Sequence, residues 1–235
     1  YKLVVGTAST QNVDIVSSDH QGLRFAISSM SSVGTIVLRE GTYRWTESVF
    51  IPTRVVVNAD IGAVIIGTKT ILNLSGIWNS GRFTGNNLAP NSTDFIRIED
   101  YGQLYNSEIS QSSQTNSSTA YLAVDGINTR LFYNKIIDNS CSPNTSCLML
   151  RISSRTDGLI SVGNTIYNNK LSHVNSADIM TINTTGSYLI SNHFSKKNSN
   201  AGSQLTISMS SAGGIIESSY FEQGPNSTSP VKISI

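Results

Sequence analysis

The chain has 235 residues, of which only 13% are charged, and its 16 lysines and arginines nearly balance its 15 aspartates and glutamates. Nucleic-acid binders concentrate basic residues, and this chain has no basic run beyond Lys196-Lys197, so we expect no nucleic-acid partner. No apolar run approaches the ~18–20 residues that span a bilayer, so we expect no membrane span.

The N-terminal part predicts a strand and a loose connection over residues 1–18, followed by a short helix over 19–31. Asp19 is placed as the helix N-cap, and Gly34 stops the segment. One apolar face of the helix consists of Leu23, Ile27 and Met30. We expect this helix to cap one end of a stack of strands.

Residues 34–67 predict three short strands in quick succession. They are rich in β-branched and aromatic residues, and each ends at a turn-forming residue. Downstream, a pattern recurs in which short apolar strands lead through a polar or asparagine-bearing step to one large apolar residue. These closing residues are Phe83, Ile109, Ile136, Leu171, Phe194 and Phe221.

The spacings between the closing residues are 26, 27, 35, 23 and 27 residues. A period near 25 with two or three strands per period is typical of a parallel β-solenoid, in which stacked turns share one core. The sequence therefore predicts a single all-β domain over residues 1–235, a right-handed parallel β-helix of about seven or eight turns. Asp125-Gly126 and Asp157-Gly158 are hairpin signals that keep a β-sandwich open as an alternative.

The two cysteines, Cys141 and Cys147, lie in the longest repeat, whose loop we expect to project from the stack. They predict a disulfide that closes a small surface loop, with two free thiols as the alternative. No histidine has a spacing that completes a metal tetrad with them, so no metal and no cofactor is expected.

The stretch from Asp19 to Gly67 combines the short helix with Gly-Thr-Ile-Val-Leu-x-x-Gly-Thr-Tyr and Ile-Pro-x-x-Val-x-Val. It resembles the N-terminal cap and first turns of the pectin-lyase-like superfamily of right-handed parallel β-helices. That superfamily includes polysaccharide lyases, polygalacturonases and phage tailspikes. The resemblance implies the fold, but a fold hosts many activities.

A second stretch, roughly 159–224, resembles the alginate-lyase and chondroitinase-B type of polysaccharide lyase. It carries Asn-x-Φ-x-Asn-Asn, Asp-Ile-Met-Thr-Ile-Asn, Asn-His-Phe and Gln-Leu-Thr-Ile-Ser-Met. The resemblance implies a catalytic lysine near Asn183 and an arginine near Ser208. Because asparagine and serine supply neither a base nor a cation, the resemblance implies the scaffold without the lyase chemistry.

Hydrolysis of a glycosidic bond needs clustered carboxylates. The candidates are Glu99, Asp100, Asp125 and Asp178. The first three directly follow apolar strands at matching points of the repeat, so they are expected to stack one turn apart. The alternative is that they are ordinary turn residues.

Several basic residues are candidates for lining a glycan-binding groove, or else for solvated edges of the stack. They are Arg151, Arg155, Lys170, His173 and His193. Trp45 and Trp78 are candidates for sugar-stacking platforms, with burial in the core as the alternative.

Together these features favour a non-catalytic structural module on a virion or outside the cell that contacts glycans or neighbouring subunits. A homotrimer or larger assembly is expected. The alternative is a polysaccharide lyase or glycoside hydrolase that acts on an acidic polysaccharide. A passenger-type adhesin differs from the first hypothesis mainly in its host.

Overall fold

The protein forms an all-β parallel solenoid with one short helix, which confirms the predicted fold class. The computed structural model describes residues 2–85, 94–114, 120–141, 148–153, 158–167, 170–171, 180–184, 188–196, 205–209, 215–223 and 232–234. Every pairing between the described strands is parallel, and the strands of each sheet follow one another in chain order after the first pair.

Three long sheets run along the solenoid, and the chain visits them in rotation. Sheet 1 has ten strands, in the spatial order Ile15–Val16, Lys2–Gly6, Gly34–Leu38, Val55–Ala59, Ile77–Asn79, Gln103–Tyr105, Arg130–Phe132, Ile160–Val162, Tyr188–Ile190 and Ile215–Glu217. Sheet 2 has eight strands, namely Gly41–Trp45, Ala63–Gly67, Arg82–Gly85, Glu108–Ser110, Lys135–Ile137, Thr165–Tyr167, His193–Lys196 and Tyr220–Gln223. Sheet 3 also has eight, namely Val49–Ile51, Leu72–Leu74, Ile96–Ile98, Ala120–Val124, Leu148–Ile152, Met180–Thr184, Leu205–Met209 and Lys232–Ser234.

A fourth, small sheet consists of Ser113–Gln114, Ser140–Cys141 and Lys170–Leu171. Cys141 ends the second of these strands, and Cys147 lies outside the described residues, so the disulfide stays a prediction.

The core lies inside the three long sheets, where apolar residues at equal positions stack from turn to turn. One such column on sheet 3 consists of Ile51, Leu74, Ile98, Val124 and Ile152, all fully buried. A single turn cannot bury these side chains alone, so stacking removes their apolar surface from water and holds the turns together.

Both tryptophans are core residues, which settles the alternatives that the sequence leaves open for them. Trp45 and Trp78 are 1% and 0% exposed, and their rings meet edge to face with centroids 6.2 Å apart. Phe83 packs on Trp78 with a centroid distance of 5.2 Å. Neither indole is available to stack on a sugar.

The only helix in the described part of the chain, His20–Ser28, is shorter than the predicted 19–31. Asp19 is its N-cap and accepts a hydrogen bond from the Gln21 N–H at 2.9 Å. Burial opposes the ionisation of Asp19, but hydrogen bonds from the Ser17 hydroxyl and the Gln21 N–H outweigh it and hold the pKa below its usual value. No helix in the described ranges has the length and apolarity needed to cross a membrane.

Sheet 1 begins before the helix, whereas the sequence placed the first turn of the stack at Gly34. The strand Lys2–Gly6 pairs in parallel with Gly34–Leu38 on one side and with Ile15–Val16 on the other. The N-terminal segment therefore extends the sheet rather than serving only as a connection.

One closing residue of the predicted repeat is wrong. Ile166, and not Leu171, pairs with Ile136 on one side and with Phe194 on the other, at spacings of 30 and 28 residues. Leu171 belongs to the small sheet, where it pairs with Cys141. Two apolar residues follow similar asparagine-rich steps in this repeat, and only the strand register distinguishes them.

The asparagine-bearing step of the repeat forms a buried ladder of side-chain amides between sheets 1 and 2. Asn134, Asn164 and Asn192 are 3%, 6% and 1% exposed and lie on successive turns. The Asn134 amide accepts from the Ser107 N–H at 3.0 Å and donates to the Leu104 carbonyl at 2.8 Å. The ladder satisfies turn backbone groups that would otherwise be buried without partners.

We expect the Asn134→Ala substitution to lower the free energy of unfolding by about 2–3 kcal/mol, because the buried Ser107 N–H loses its acceptor. Urea denaturation followed by far-UV circular dichroism measures the change. Asn106→Gly is the control, since Asn106 is exposed one turn earlier and glycine tolerates its left-handed backbone (φ 49°), so this substitution should cost less than about 1 kcal/mol. Equal losses for both variants would contradict the role of the ladder.

Candidate functional site: a groove with a carboxylate–arginine network

Two candidate carboxylates follow neighbouring strands of sheet 3 at equivalent positions. Glu99 comes directly after Ile96–Ile98, and Asp125 directly after Ala120–Val124. Ile98 pairs with Val124, and the Asp125 N–H donates to the Ile98 carbonyl at 2.9 Å, so the register continues by one residue. The two residues thus stack on adjacent turns as the sequence predicts, while their chemical role remains a prediction.

Two arginines converge on Asp125. Arg97 Nε donates to Asp125 Oδ2 at 2.9 Å, and the two terminal nitrogens of Arg151 donate to the two Asp125 oxygens at 3.2 Å each. Such a two-pronged pairing of guanidinium and carboxylate fixes the orientation of both groups. Arg97, Ala123 and Arg151 occupy one register position on three successive strands. The small side chain of Ala123 leaves room for both arginines to lean toward Asp125.

Asp94 is a second carboxylate that binds Arg151. It lies just before sheet 3, its side chain is 6% exposed, and Arg151 Nη2 donates to its Oδ2 at 2.5 Å. Its other oxygen accepts from the Ala120 N–H at 3.1 Å. Asp94, Arg97, Asp125 and Arg151 are hereafter called the ion-pair network.

Arg97, Asp125 and Arg151 of the network form the floor of a groove of about 490 Å³ on the outside of sheet 3, hereafter the sheet-3 groove, and Asp94 lies beneath them. Its lining residues are Ser75, Arg97, Glu99, Asp100, Asp125, Arg151 and Ser153. The Ser153 hydroxyl is buried and has no hydrogen-bond partner among the described residues. Ser153 lies at the wall of the groove, so its substitution tests whether a ligand enters there.

The rim of the groove is acidic. Glu99 is half-buried and forms no ion pair with any described residue, whereas Asp100 is exposed and accepts from the Ile127 N–H at 3.0 Å. Asp100 therefore holds a turn, as the alternative interpretation expects. Counting Asp94 beneath the floor, two arginines face four carboxylates, so the groove carries net negative charge.

Tyr101 follows Asp100 directly and was not singled out from the sequence. Its side chain is 52% exposed, and its backbone has a φ of 65°, a left-handed conformation that is unusual for a bulky residue. An exposed aromatic ring held by a constrained backbone next to a polar groove is suited to contact a sugar face.

Buried aromatic rings pack beneath the ion-pair network. Tyr121 lies within Ala120–Val124, where all five residues are buried, and its ring meets Phe95 edge to face with centroids 6.5 Å apart. Burial raises the pKa of Tyr121 well above its usual value, so it is neutral at any physiological pH.

The positions that the lyase resemblance assigns lie further along sheet 3. Asn183 pairs directly with Ser208, and Ser208 with Ser234. These residues follow Ile182 and Ile207 as Asp125 follows Val124, so they continue the edge on which the carboxylates lie. The strand register thus places an asparagine and a serine side by side where the resemblance implies a lysine and an arginine.

The remaining candidates are only partly placed. Lys170 lies on the small sheet and His193 begins a strand of sheet 2, so neither belongs to sheet 3. Arg155, His173 and Asp178 lie outside the described residues. Within the described part of the chain, no group of three or more metal-ligating side chains is assembled.

Asp94 and Arg97 were not recognised as site residues from the sequence. A usable signal exists, because Ile96-Arg97-Ile98 and Leu150-Arg151-Ile152 share an arginine between two inward-facing apolar residues. Asp94 carries no such pattern and is recognised only by its contacts.

No protein-family model and no curated protein matches the sequence. Among solved structures, an alginate lyase from Paenibacillus sp. str. FPU-7 is similar at 11% sequence identity and a TM-score of 0.34. The alignment covers 96% of this chain and 99% of that chain. Because this TM-score is low, no residue role in the groove is taken from that enzyme.

Proposed function

We propose that the protein binds a polysaccharide in the sheet-3 groove and is a non-catalytic surface protein, located on a virion or outside the cell. The observation that carries this proposal is the ion-pair network at the groove floor. Asp94, Asp125, Arg97 and Arg151 hold one another in fixed positions, so their remaining donors and lone pairs are preorganised for a ligand rich in hydroxyl groups.

The charge of the groove favours an uncharged glycan over an acidic one. Both arginines already pair with carboxylates, and Glu99 and Asp100 add negative charge at the rim. A polyuronate chain brought into this groove meets like charges, and none of the described groove residues is an unpaired cation that could neutralise it. Sugar hydroxyls, in contrast, can both donate to the carboxylates and accept from the arginines.

Elimination chemistry is not favoured by the same residues. A lyase removes a proton next to a carboxylate and neutralises the charge that develops, which needs a base and an unpaired cation. Arg97 and Arg151 are paired, and the positions of the expected lysine and arginine hold Asn183 and Ser208.

Binding is tested with soluble neutral polysaccharides, a β-glucan and a galactomannan, against alginate and polygalacturonate by affinity electrophoresis and calorimetry. We expect a neutral polymer to bind, and Ser153→Ala and Tyr101→Asn to weaken that binding by about 10-fold each. Asparagine tolerates the left-handed backbone of Tyr101, so the fold is kept. Asp60→Asn, a carboxylate outside the groove, is the control and should bind as the unaltered protein does.

Tight binding of only the acidic polymers would contradict the proposed preference. Binding of any polymer that is indifferent to both groove substitutions would place the site elsewhere.

Hydrolysis of a glycosidic bond is the second candidate, because Glu99 and Asp125 lie at equivalent positions on adjacent strands. Strands in a sheet are ~4.8 Å apart, close to the ~5–5.5 Å between the carboxyl groups of retaining glycosidases. If the protein releases reducing ends from the same neutral polymers and Glu99→Gln abolishes this release, the non-catalytic hypothesis is wrong and the protein is a glycoside hydrolase. Appearance of unsaturated-uronate absorbance with the acidic polymers would instead establish a lyase.

The expected homotrimer also remains a proposal. It is motivated by the superfamily that the N-terminal region resembles, which includes phage tailspikes.

A further inference from the structure

A second groove lies on a different edge of the solenoid, at the turns that connect sheet 1 to sheet 2. It has a volume of about 800 Å³. The side chains that matter for its chemistry belong to Asn79, Arg82, Asn106, Glu108, Tyr133 and Lys135. It shares no lining residue with the sheet-3 groove, and we call it the turn groove.

Tyr133 is the unusual residue of these turns. From Ser80 onward, six successive turns place a left-handed residue at the same point, and the occupants are Ser80, Asn106, Tyr133, Gly163, Ser191 and Ser218. All but Tyr133 are small or are asparagine, as a left-handed backbone favours. Tyr133 has a φ of 56°, and its side chain is 60% exposed, so burial in the core does not explain the aromatic ring there.

The ring of Tyr133 is held in place by the next turn. A Cβ atom added at Gly163 would lie 2.5 Å from Tyr133 Cδ1 and 2.7 Å from Cε1, so the ring edge occupies the space that the glycine leaves open. Gly163 itself has a φ of 64°. The ring is thus fixed against the backbone of one turn while most of its surface faces solvent.

Polar groups extend from this ring along the groove. Asn106 Nδ2 donates to Asn79 Oδ1 at 3.0 Å, which aligns the two amides on neighbouring turns. Arg82, Glu108 and Lys135 occupy one register position on successive strands of sheet 2. No ion pair joins these three residues in the described structure, and Arg82 Nε is buried without a hydrogen-bond partner among the described residues.

We propose that the turn groove is a second carbohydrate-binding site, which takes a short, uncharged stretch of oligosaccharide. The Tyr133 ring packs on the apolar face of one sugar, and the amides and the charged groups of Arg82, Glu108 and Lys135 bind the hydroxyls of its neighbours. Glu108 Oε1 accepts from the Ser110 hydroxyl at 2.6 Å, which orients its carboxylate. From Arg82 to Lys135 the groove spans two strand spacings of ~4.8 Å, which suits a short oligosaccharide. The choice of a glycan as the ligand rests on the function proposed for the sheet-3 groove.

Calorimetry with tetrasaccharides of a β-glucan, a β-mannan and an α-glucan tests this site. We expect two binding events, one lost in Tyr133→Asn and the other weakened by about 10-fold in Ser153→Ala. Asparagine fits the left-handed position, as Asn106 shows one turn earlier, so Tyr133→Asn keeps the fold. Phe25→Ala, which removes an exposed aromatic ring from the helix, is the control and should leave both events unchanged.

Binding that is the same in Tyr133→Asn as in the unaltered protein overturns the second site, even if Ser153→Ala is impaired. Loss in Tyr133→Asn without any effect of Ser153→Ala supports the turn groove and counts against the sheet-3 groove. If none of the three tetrasaccharides binds, both assignments fail.

Discussion

Replacing Trp78 with alanine is expected to lower the free energy of unfolding by about 3–5 kcal/mol, the largest loss that we expect from one substitution. Trp78 is fully buried, and its ring contacts Trp45 on one side and Phe83 on the other. Its Nε1 also donates to the Ser80 carbonyl at 2.7 Å, which anchors the turn before sheet 2. Alanine leaves a cavity between turns, and the Ser80 carbonyl keeps only the Ser107 hydroxyl, at 3.2 Å, as a side-chain donor.

The loss is measured by urea denaturation followed by tryptophan fluorescence, because the remaining Trp45 reports directly on the turn that packs against the cavity. Phe50→Ala is the matched control, since Phe50 lies on a strand of sheet 3 but is 51% exposed. We expect it to cost less than about 1 kcal/mol. A loss below about 1 kcal/mol for Trp78→Ala would mean that the core of these turns is not packed as described.

Replacing Asp94 with alanine should lower the free energy of unfolding by about 3 kcal/mol. Its carboxylate is nearly buried and serves both Arg151 and the Ala120 N–H, so its removal leaves a guanidinium and a buried donor poorly paired. Arg151 retains Asp125 as a partner and is 30% exposed, so solvent screening keeps the loss below that of a fully buried charge.

Asp60→Ala is the control for Asp94→Ala, because Asp60 also faces an arginine. Arg39 and Asp60 are 3.8 Å apart with side chains 41% and 38% exposed, and such surface pairs contribute less than about 1 kcal/mol. Thermal and urea unfolding of both variants at low and high salt make the comparison. Similar losses for the two variants would show that the ion-pair network does not stabilise the groove floor.

The loss of Asp94 should also weaken glycan binding, although Asp94 does not itself contact the ligand. The reason is that Asp94 orients Arg151. Asp94→Asn separates the two effects, because the amide keeps an acceptor for the Ala120 N–H but loses the charge that holds the guanidinium. We expect Asp94→Asn to be more stable than Asp94→Ala and to bind neutral polysaccharide more weakly than the unaltered protein does.

The N-terminal helix and the repeat could be predicted from local sequence patterns. Asp19 is a cap because its side chain accepts from a backbone N–H two residues away, and such contacts are visible in the sequence. Local patterns could not identify Ile166 as a closing residue of the repeat. Leu171 is equally apolar and follows a similar step, and choosing between them requires the register with Ile136.

The two grooves also differ in how far the sequence could predict them. Glu99 and Asp125 were predicted to stack because both directly follow apolar strands at the same point of the repeat. Tyr133 and Gly163 could not be linked from the sequence, since their relation is a ring that fills the space above a glycine one turn later.

By itself, the sequence determined that the chain forms a capped parallel solenoid, because alternating apolar residues and a period near 25 can be buried only by stacking turns. Its resemblance to polysaccharide lyases implies Asn183 and Ser208 at the positions of their lysine and arginine, and that assignment remains a prediction. Only the tertiary structure decided that Asp94 meets Arg151, 57 residues further along the chain. The physical reason is that turns of unequal length must be brought into register before their side chains acquire neighbours.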